Sequence, residues 1–246
     1  MLPSQKTPAR TLLGSLTILI YATSKWGKST FASQMEDVLF LATEPGLNHL
    51  EVFQVPIKNW EELLAALGEL AAGKHPFKTV CIDTVDNAYR FCVEHVLRKL
   101  GVEHESDAPF GKAYAGVIAE FHRVLTKLAQ LPYGLVLISH AQEKEFETRT
   151  GKVTRTIPTL PSRAREVVLG LVDVILFGDF ERQPAPEGKS PTYRRVLRTR
   201  PGLHYEAGDR TRRLPEVLEA DFRAFAAAFE RGAPAPTQDR TESSAR

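Results

Sequence analysis

The stretch that most constrains this chain is Leu16-Thr-Ile-Leu-Ile-Tyr21, followed directly by Ala22-Thr23-Ser24-Lys25-Trp26-Gly27-Lys28-Ser29-Thr30. The first six residues read as a buried strand. Ala22 to Ser29 match the eight positions of G-x-x-x-x-G-K-[ST] at every fixed position except the first, where Ala22 stands in place of glycine. Each fixed residue answers a physical demand of a bound triphosphate. Gly27 lets the backbone turn tightly, so that successive N–H groups converge on phosphate oxygens. A helix opening at Ser29 adds the positive end of its dipole. Lys28 brings a point charge to the β- and γ-phosphates, the Ser29 hydroxyl ligates Mg²⁺, and Thr30 can donate to the α-phosphate. A chance Gly-Lys-Ser-Thr in a surface turn is the alternative, and a strand before with a helix after is the context that separates the two. Residues Ala22 to Thr30 are therefore the expected nucleotide-binding segment, with ATP and Mg²⁺ as cofactors.

The rest of the chain alternates in the same way. Val38–Ala42 reads as a second strand ended by Glu44-Pro-Gly46, Thr79–Ile82 as a third bounded by Asp83, and Leu135–Ile138 as a fourth ending at Ser139-His140. Asn59 and Glu62 form a capping box, opening a helix with Trp60, Leu63, Leu64, Leu67 and Leu70 on one face. Further helices are predicted over Tyr89–Leu100, through Val117, Phe121, Leu125 and Leu128, and over Leu214–Phe229. Val172–Phe177 and Tyr193–Thr199 are further strands around a Pro/Gly-rich turn at 183–191. The segment from Gln142 to Arg165 reads as a loop or mobile hairpin. The fold class is thus α/β, a mostly parallel central sheet with helices on both faces. Residues 1–10 form a polar lead-in, 11–231 one domain, and 232–246 a disordered tail.

In such sheets ligands bind beyond the carboxyl ends of the strands, and the remaining candidates all fall there. Asp83 follows an apolar strand about 55 residues after the phosphate loop, the placement of a carboxylate that shares Mg²⁺ with Ser29. Glu44, closing a second strand expected beside the first, could orient or deprotonate an attacking water. A solvated Glu in a Glu-Pro-Gly turn is the other reading. His140 could sense a γ-phosphate or be structural. Arg198 and Arg200, two apart on a strand, share a face and could stabilise phosphoryl charge across a subunit boundary. An exposed basic edge strand explains them equally.

Composition adds limits. The formal charge of +2 predicts no partner. Residues 144–213, however, carry 15 Lys and Arg against 9 Asp and Glu, so the remainder is net negative by four. That asymmetry fits either a polyanion partner or a solvated surface. Cys81 and Cys92 form no disulfide framework or metal pattern, pointing to a reducing cytoplasm. Lys6, Arg10 and Leu12–Ala22 imitate a secretory leader, but Gly14, Ser15 and Thr17 interrupt the apolar run. No run reaches the ~18 apolar residues of a membrane span.

Taken in order, Gly27-Lys-Ser-Thr30, Leu39-Phe-Leu-Ala-Thr-Glu44, Cys81-Ile-Asp-Thr84, Ile138-Ser-His140 and Arg198-Thr-Arg200 resemble the RecA-like P-loop ATPases. Within that superfamily they resemble the short phage proteins of single-strand annealing type, over roughly Leu16–Phe229. The resemblance implies catalytic roles for Lys28, Glu44, His140, Arg198 and Arg200, with His140 departing from the usual glutamine. It also implies a homo-oligomer, ring or filament, with ATP at subunit interfaces, acting in DNA recombination or single-strand annealing in a host cytoplasm. Two mobile loops contact DNA in that family. Their counterparts here are Gly101–Lys112, which is acidic, and Gln142–Arg165, which offers Lys144, Arg149, Lys152, Arg155, Arg163 and Arg165 to single-stranded DNA. Gly208-Asp-Arg-Thr-Arg212 resembles a late basic motif of the phage members. Two other readings stay open: a P-loop small-metabolite kinase, and a non-hydrolysing, nucleotide-switched DNA-binding module.

Overall fold

In the computed structural model, residue 4 and residues 12–149, 151–184 and 190–232 are described. The expected lead-in (all but residue 4) and tail (all but residue 232), and most of the 183–191 turn, lie outside the described residues. The elements run β1 (Thr17–Ala22), α1 (Lys28–Ala32), β2 (Val38–Ala42), β3 (Phe53–Pro56), α2 (Trp60–Ala72), β4 (Thr79–Asp83) and α3 (Val85–Leu100). There follow α4 (Lys112–Gln130), β5 (Gly134–Thr148), β6 (Gly151–Pro158), α5 (Ser162–Leu171), β7 (Val174–Gln183) and β8 (Thr192–Arg198). β9 (Gly208–Asp209), β10 (Val217–Glu219) and α6 (Phe222–Arg231) close the described chain.

Six strands make a parallel core in the order β7-β1-β5-β4-β2-β3, continued on the β7 side by antiparallel β8 and β10. Alternation along each strand divides the apolar side chains between two layers. Ile18, Ile20 and Ala22 of β1 join Phe31 of α1 and Phe225 and Phe229 of α6 in one cluster. Leu19 and Tyr21 join the other, built from α2, α3, α4 and α5. Both faces are therefore covered by helices, which is why the central strands read as unbroken apolar runs. All the parallel strands end at one edge, and the phosphate loop rises from that edge.

Several expectations change. β2 does not lie beside β1; β5 and β4 stand between them. Glu44 nevertheless reaches the same edge, because β2 runs parallel to β4 and finishes level with it, Ala42 opposite Asp83. The segment from Gln142 to Arg165 is no loop: β5 continues past the sheet and pairs with β6 from Ala141–Pro158 to Thr148–Gly151, and Ser162 opens α5. Strong cross-strand register, which no local pattern announces, converts the polar run into a ribbon. The expected helix from Leu214 shrinks to α6, since 217–219 pair with β8 and Asp221 accepts from Ala224 N at 2.9 Å as its cap. The acidic Gly101–Lys112 stretch folds as two short 3₁₀ turns. Gly208–Arg212 is a structural knuckle, in which the Asp209 carboxylate accepts from the N–H groups of Thr211 and Leu214 and Arg210 donates to the Gly170 carbonyl at 2.6 Å.

Candidate nucleotide-binding site

The loop between β1 and α1 turns through two left-handed residues, Lys25 at φ 61° and Gly27 at φ 108°. A side chain at Gly27 would be strained, and its Cβ would also stand 2.6 Å from the guanidinium of Arg195. Ala22, where the usual pattern has glycine, is fully buried and fits because its neighbour across the sheet is Gly178. A Cβ on Gly178 would come within 2.8 Å of the Ala22 methyl and 2.7 Å of the Trp26 ring. The glycine has in effect moved to the adjacent strand. Trp26, also buried, lies in the space so left and donates its Nε1–H to the Asp179 carbonyl at 3.1 Å.

Lys28 is buried, and its Nζ donates to the carbonyls of Ala22 and Thr23 at 3.0 and 3.1 Å. The Ser29 hydroxyl donates to Oδ2 of Asp83 at 2.6 Å, so loop and strand β4 meet at a pair of hard oxygens. Glu44 follows β2 and is held at both ends: Asn87 Nδ2 donates to Oε2 at 3.0 Å, and His140 Nε2 stands 3.4 Å from Oε1. Asp86, in the first turn of α3, accepts from the Ser139 hydroxyl at 2.8 Å and from the His140 N–H at 3.0 Å. Thr43 bridges to Thr84 twice, its hydroxyl donating to the carbonyl and accepting the N–H. The ends of β2, β4 and β5 are thus tied to one another by side chains.

One cleft of about 590 Å³ is lined by Ser24, Lys25, Gly27–Thr30, Glu44–Gly46, His49, Asp83, His140 and Arg195. Burial lowers the Lys28 ammonium from its usual range, while Asp83, Glu44 and Asp86 pull it back up. Burial likewise pushes Asp83 up, opposed by the Ser29 bond, and pushes Asp86 up against its bonds from Ser139 and His140. Contact with Glu44 raises His140, and the same contact lowers Glu44. Asp83, the carboxylate of the two that lines the cleft, therefore sits in an environment that favours an added cation. A hydroxyl beside a carboxylate, with phosphates to complete the shell, is the donor set of Mg²⁺, which takes few protein ligands. The residues fit Mg²⁺ with a nucleoside triphosphate.

Of the residues singled out in the sequence, Ser24, Lys25, Gly27, Lys28, Ser29, Thr30, Glu44, Asp83 and His140 converge on this cleft. Thr23 contributes its carbonyl to Lys28, while Ala22 and Trp26 pack behind the loop. Arg198 and Arg200 do not line it. Arg198 donates to Asp179 Oδ2 at 2.6 Å and stacks over Tyr205, and Arg200 lies beyond the end of β8 and donates to the Leu214 carbonyl at 2.9 Å. The shared-face argument fails for them because the strand stops at Arg198. Arg195 enters the cleft instead. Only the β7–β8 register, Phe180 opposite Arg195, reveals that. Asp86 and Asn87 complete the network, and their place three and four residues after Asp83, opening the next helix, is the sequence signal for them.

Pairing sorts the basic candidates of the ribbon. Lys144 faces Arg155 and Phe146 faces Val153, on the opposite side from Glu143, Glu145 and Glu147. Lys144, Arg149, Lys152 and Arg163 are exposed, with Lys152 paired to Glu145 at 2.6 Å and Arg163 over the Tyr114 ring. Arg155 is half-buried and donates to the Tyr205 carbonyl at 3.3 Å. Arg165 is corrected outright as a surface contact: it is buried, 3.6 Å from Glu206.

Among the described residues no helix is long and apolar enough to cross a membrane. The chain is 26% identical over 184 residues to an uncharacterized SPbeta prophage-derived protein, YorG, of Bacillus subtilis (strain 168). That similarity covers 71% of this chain and 54% of YorG, so the chain spans about half the length of the curated relative it matches. The AAA domain family matches from residue 15 to residue 211, from the approach to β1 to past β9. With most of its length inside that match, and with the loop, the acid at β4 and the parallel sheet in the arrangement described, the chain belongs to the AAA domain family of nucleotide-binding, ATPase-type P-loop proteins.

Proposed function

We propose that this protein binds ATP with Mg²⁺, hydrolyses it, and uses the cycle to act on single-stranded DNA in recombination or annealing. The observation that carries the catalytic half is the 2.6 Å bond between Ser29 and Asp83, with Glu44 and His140 in the same cleft. Lys28 exchanges its two carbonyl partners for β- and γ-phosphate oxygens, a stronger, charge-assisted contact. Mg²⁺, when bound, neutralises charge on the phosphates, with Ser29 and Asp83 as the protein oxygens that hold it. Glu44, oriented by Asn87, accepts the proton of the attacking water as the water oxygen bonds to the γ-phosphorus and the bond to the β-phosphate bridge breaks. His140 controls how free that carboxylate is.

The DNA half is supported by the exposed Lys144, Arg149, Lys152 and Arg163, carried on or next to the β5–β6 ribbon. β5 passes without a break from His140 in the cleft to that ribbon. The phage context of the similar Bacillus protein agrees with such a role. Turnover measured with and without single-stranded DNA, for wild type and Lys28→Ala, tests both halves. Stimulation that disappears in the variant is expected. Turnover indifferent to DNA would leave a small-metabolite kinase as the better reading, and no turnover a nucleotide-switched binding module.

A further inference from the structure

Arg195 lines the cleft, and the proposed cycle gives it no role. It projects from β8 toward the phosphate loop, where one guanidinium N–H donates to the Trp26 carbonyl at 2.8 Å. Guanidinium carries five donors in a fixed fork, and this is its one hydrogen bond among the described residues. The guanidinium lies in the cleft wall, so close to the loop that a Cβ on Gly27 would stand 2.6 Å from the nitrogen that bonds Trp26. The loop crest itself is gripped from the same side, through Trp26 Nε1 on the Asp179 carbonyl and the Trp26 ring over Gly178.

Sheet order says which end of a nucleotide this arginine meets. Asp83, Glu44 and His140 follow β4, β2 and β5, all on one side of β1, and Arg195 belongs to β8 on the other. The metal and the reacting γ-phosphate belong with the carboxylates, so a phosphate chain laid over the loop has its α end toward β7 and β8. We propose that Arg195 grips the α-phosphate end of the nucleotide from within the same chain, as an affinity residue and not as a transition-state finger. This rests on the cleft being a nucleoside triphosphate site. The β7–β8 pair then contacts the nucleotide through Arg195 and holds Trp26 through the Asp179 carbonyl.

Calorimetric titration of wild type, Arg195→Ala, Arg195→Lys and Lys28→Ala with a non-hydrolysable ATP analogue and with inorganic pyrophosphate tests this. Pyrophosphate can occupy the β and γ positions beside Lys28 without reaching the α position. Arg195→Ala should weaken the analogue by about tenfold or more, the scale of one charge-assisted bond, and leave pyrophosphate within about twofold. KM for ATP should rise by a similar factor with kcat nearly constant, the mark of an interaction made equally in ground and transition states. Arg195→Lys, which keeps the charge but not the fork, should fall between, and a matching melting curve shows that the fold is intact. Equal weakening for both ligands, a fall in kcat at constant KM, or no change in Arg195→Ala while Lys28→Ala no longer binds the analogue, each overturns the proposal for Arg195 alone. Undiminished analogue binding by Lys28→Ala overturns the nucleotide-site reading itself.

Discussion

His140 Nε2 stands 3.4 Å from Glu44 Oε1, which makes the proposed base and the residue that ends the sheet segment of β5 an ion pair whenever the imidazole is protonated. The contact lifts the imidazole above its ordinary value and depresses the carboxyl below its own. Asn87 holds the other carboxylate oxygen and Asp86 the His140 backbone, so neither partner is free to drift.

A pH dependence with a definite sign follows. The stabilisation owed to protonated His140 is complete below the ordinary histidine value of about 6.5 and fades as pH rises through its raised folded value. That owed to ionised Glu44 is present above the ordinary carboxylate range and fades as pH falls through its lowered value. The pair is therefore closed in mild acid and opens toward alkaline pH, releasing Glu44 to take a proton. Turnover should rise with pH along a limb whose midpoint lies above about 6.5. In His140→Gln that limb should vanish from the kcat/KM profile; its survival would show that another group titrates.

Asp83 separates stability from activity. Its carboxylate is 4% exposed and pushed up by burial, so at neutral pH the folded state holds an unfavourable buried charge. Asp83→Asn removes the charge and can still accept the Ser29 hydrogen bond. Its melting temperature without Mg²⁺ should be higher than that of wild type. Turnover should drop on the order of 100-fold or more, since removing even an outer partner of a metal ligand costs about 10- to 100-fold.

Gly178→Ala should cost about 1–3 kcal/mol, the usual penalty of forcing a methyl into a packed site. The added Cβ meets both the Trp26 ring and the Ala22 methyl. Ala22→Gly relieves only the second clash, so the double variant should recover part of the stability, a positive coupling readable in a denaturation cycle. Additive effects would mean that the two positions do not exchange space.

On the ribbon, Lys144→Ala, Arg149→Ala, Lys152→Ala and Arg163→Ala should each weaken single-stranded DNA binding. Each should also flatten its salt dependence by roughly 0.7 for every phosphate no longer neutralised. Lys152 should matter least, being already paired with Glu145. Arg165→Ala should behave differently, lowering the melting temperature because it leaves the buried Oε2 of Glu206 without its partner. Filter binding across a salt series, set beside melting curves, distinguishes the two classes.

What the sequence determined by itself is the part written in short-range terms. The apolar runs of β1, β2, β4 and β5, the Gly27-Lys-Ser turn and the acid ending β4 are local patterns, and they were enough to name the sheet, the loop and Asp83. Tertiary structure alone decided strand order, and with it which distant residues share the cleft. Arg195 lies in the cleft while Arg198 and Arg200 do not, because one antiparallel register and the end of one strand settle their directions. Glu44 meets His140 because β4 separates β2 from β5 and all three finish at one edge. The basic tally between 144 and 213 likewise divided only when pairing put Lys144 and Arg155 on one face and the glutamates on the other. Side-chain direction on a strand repeats every two residues, so its consequences depend on pairing partners far away in the chain, which no window of sequence contains.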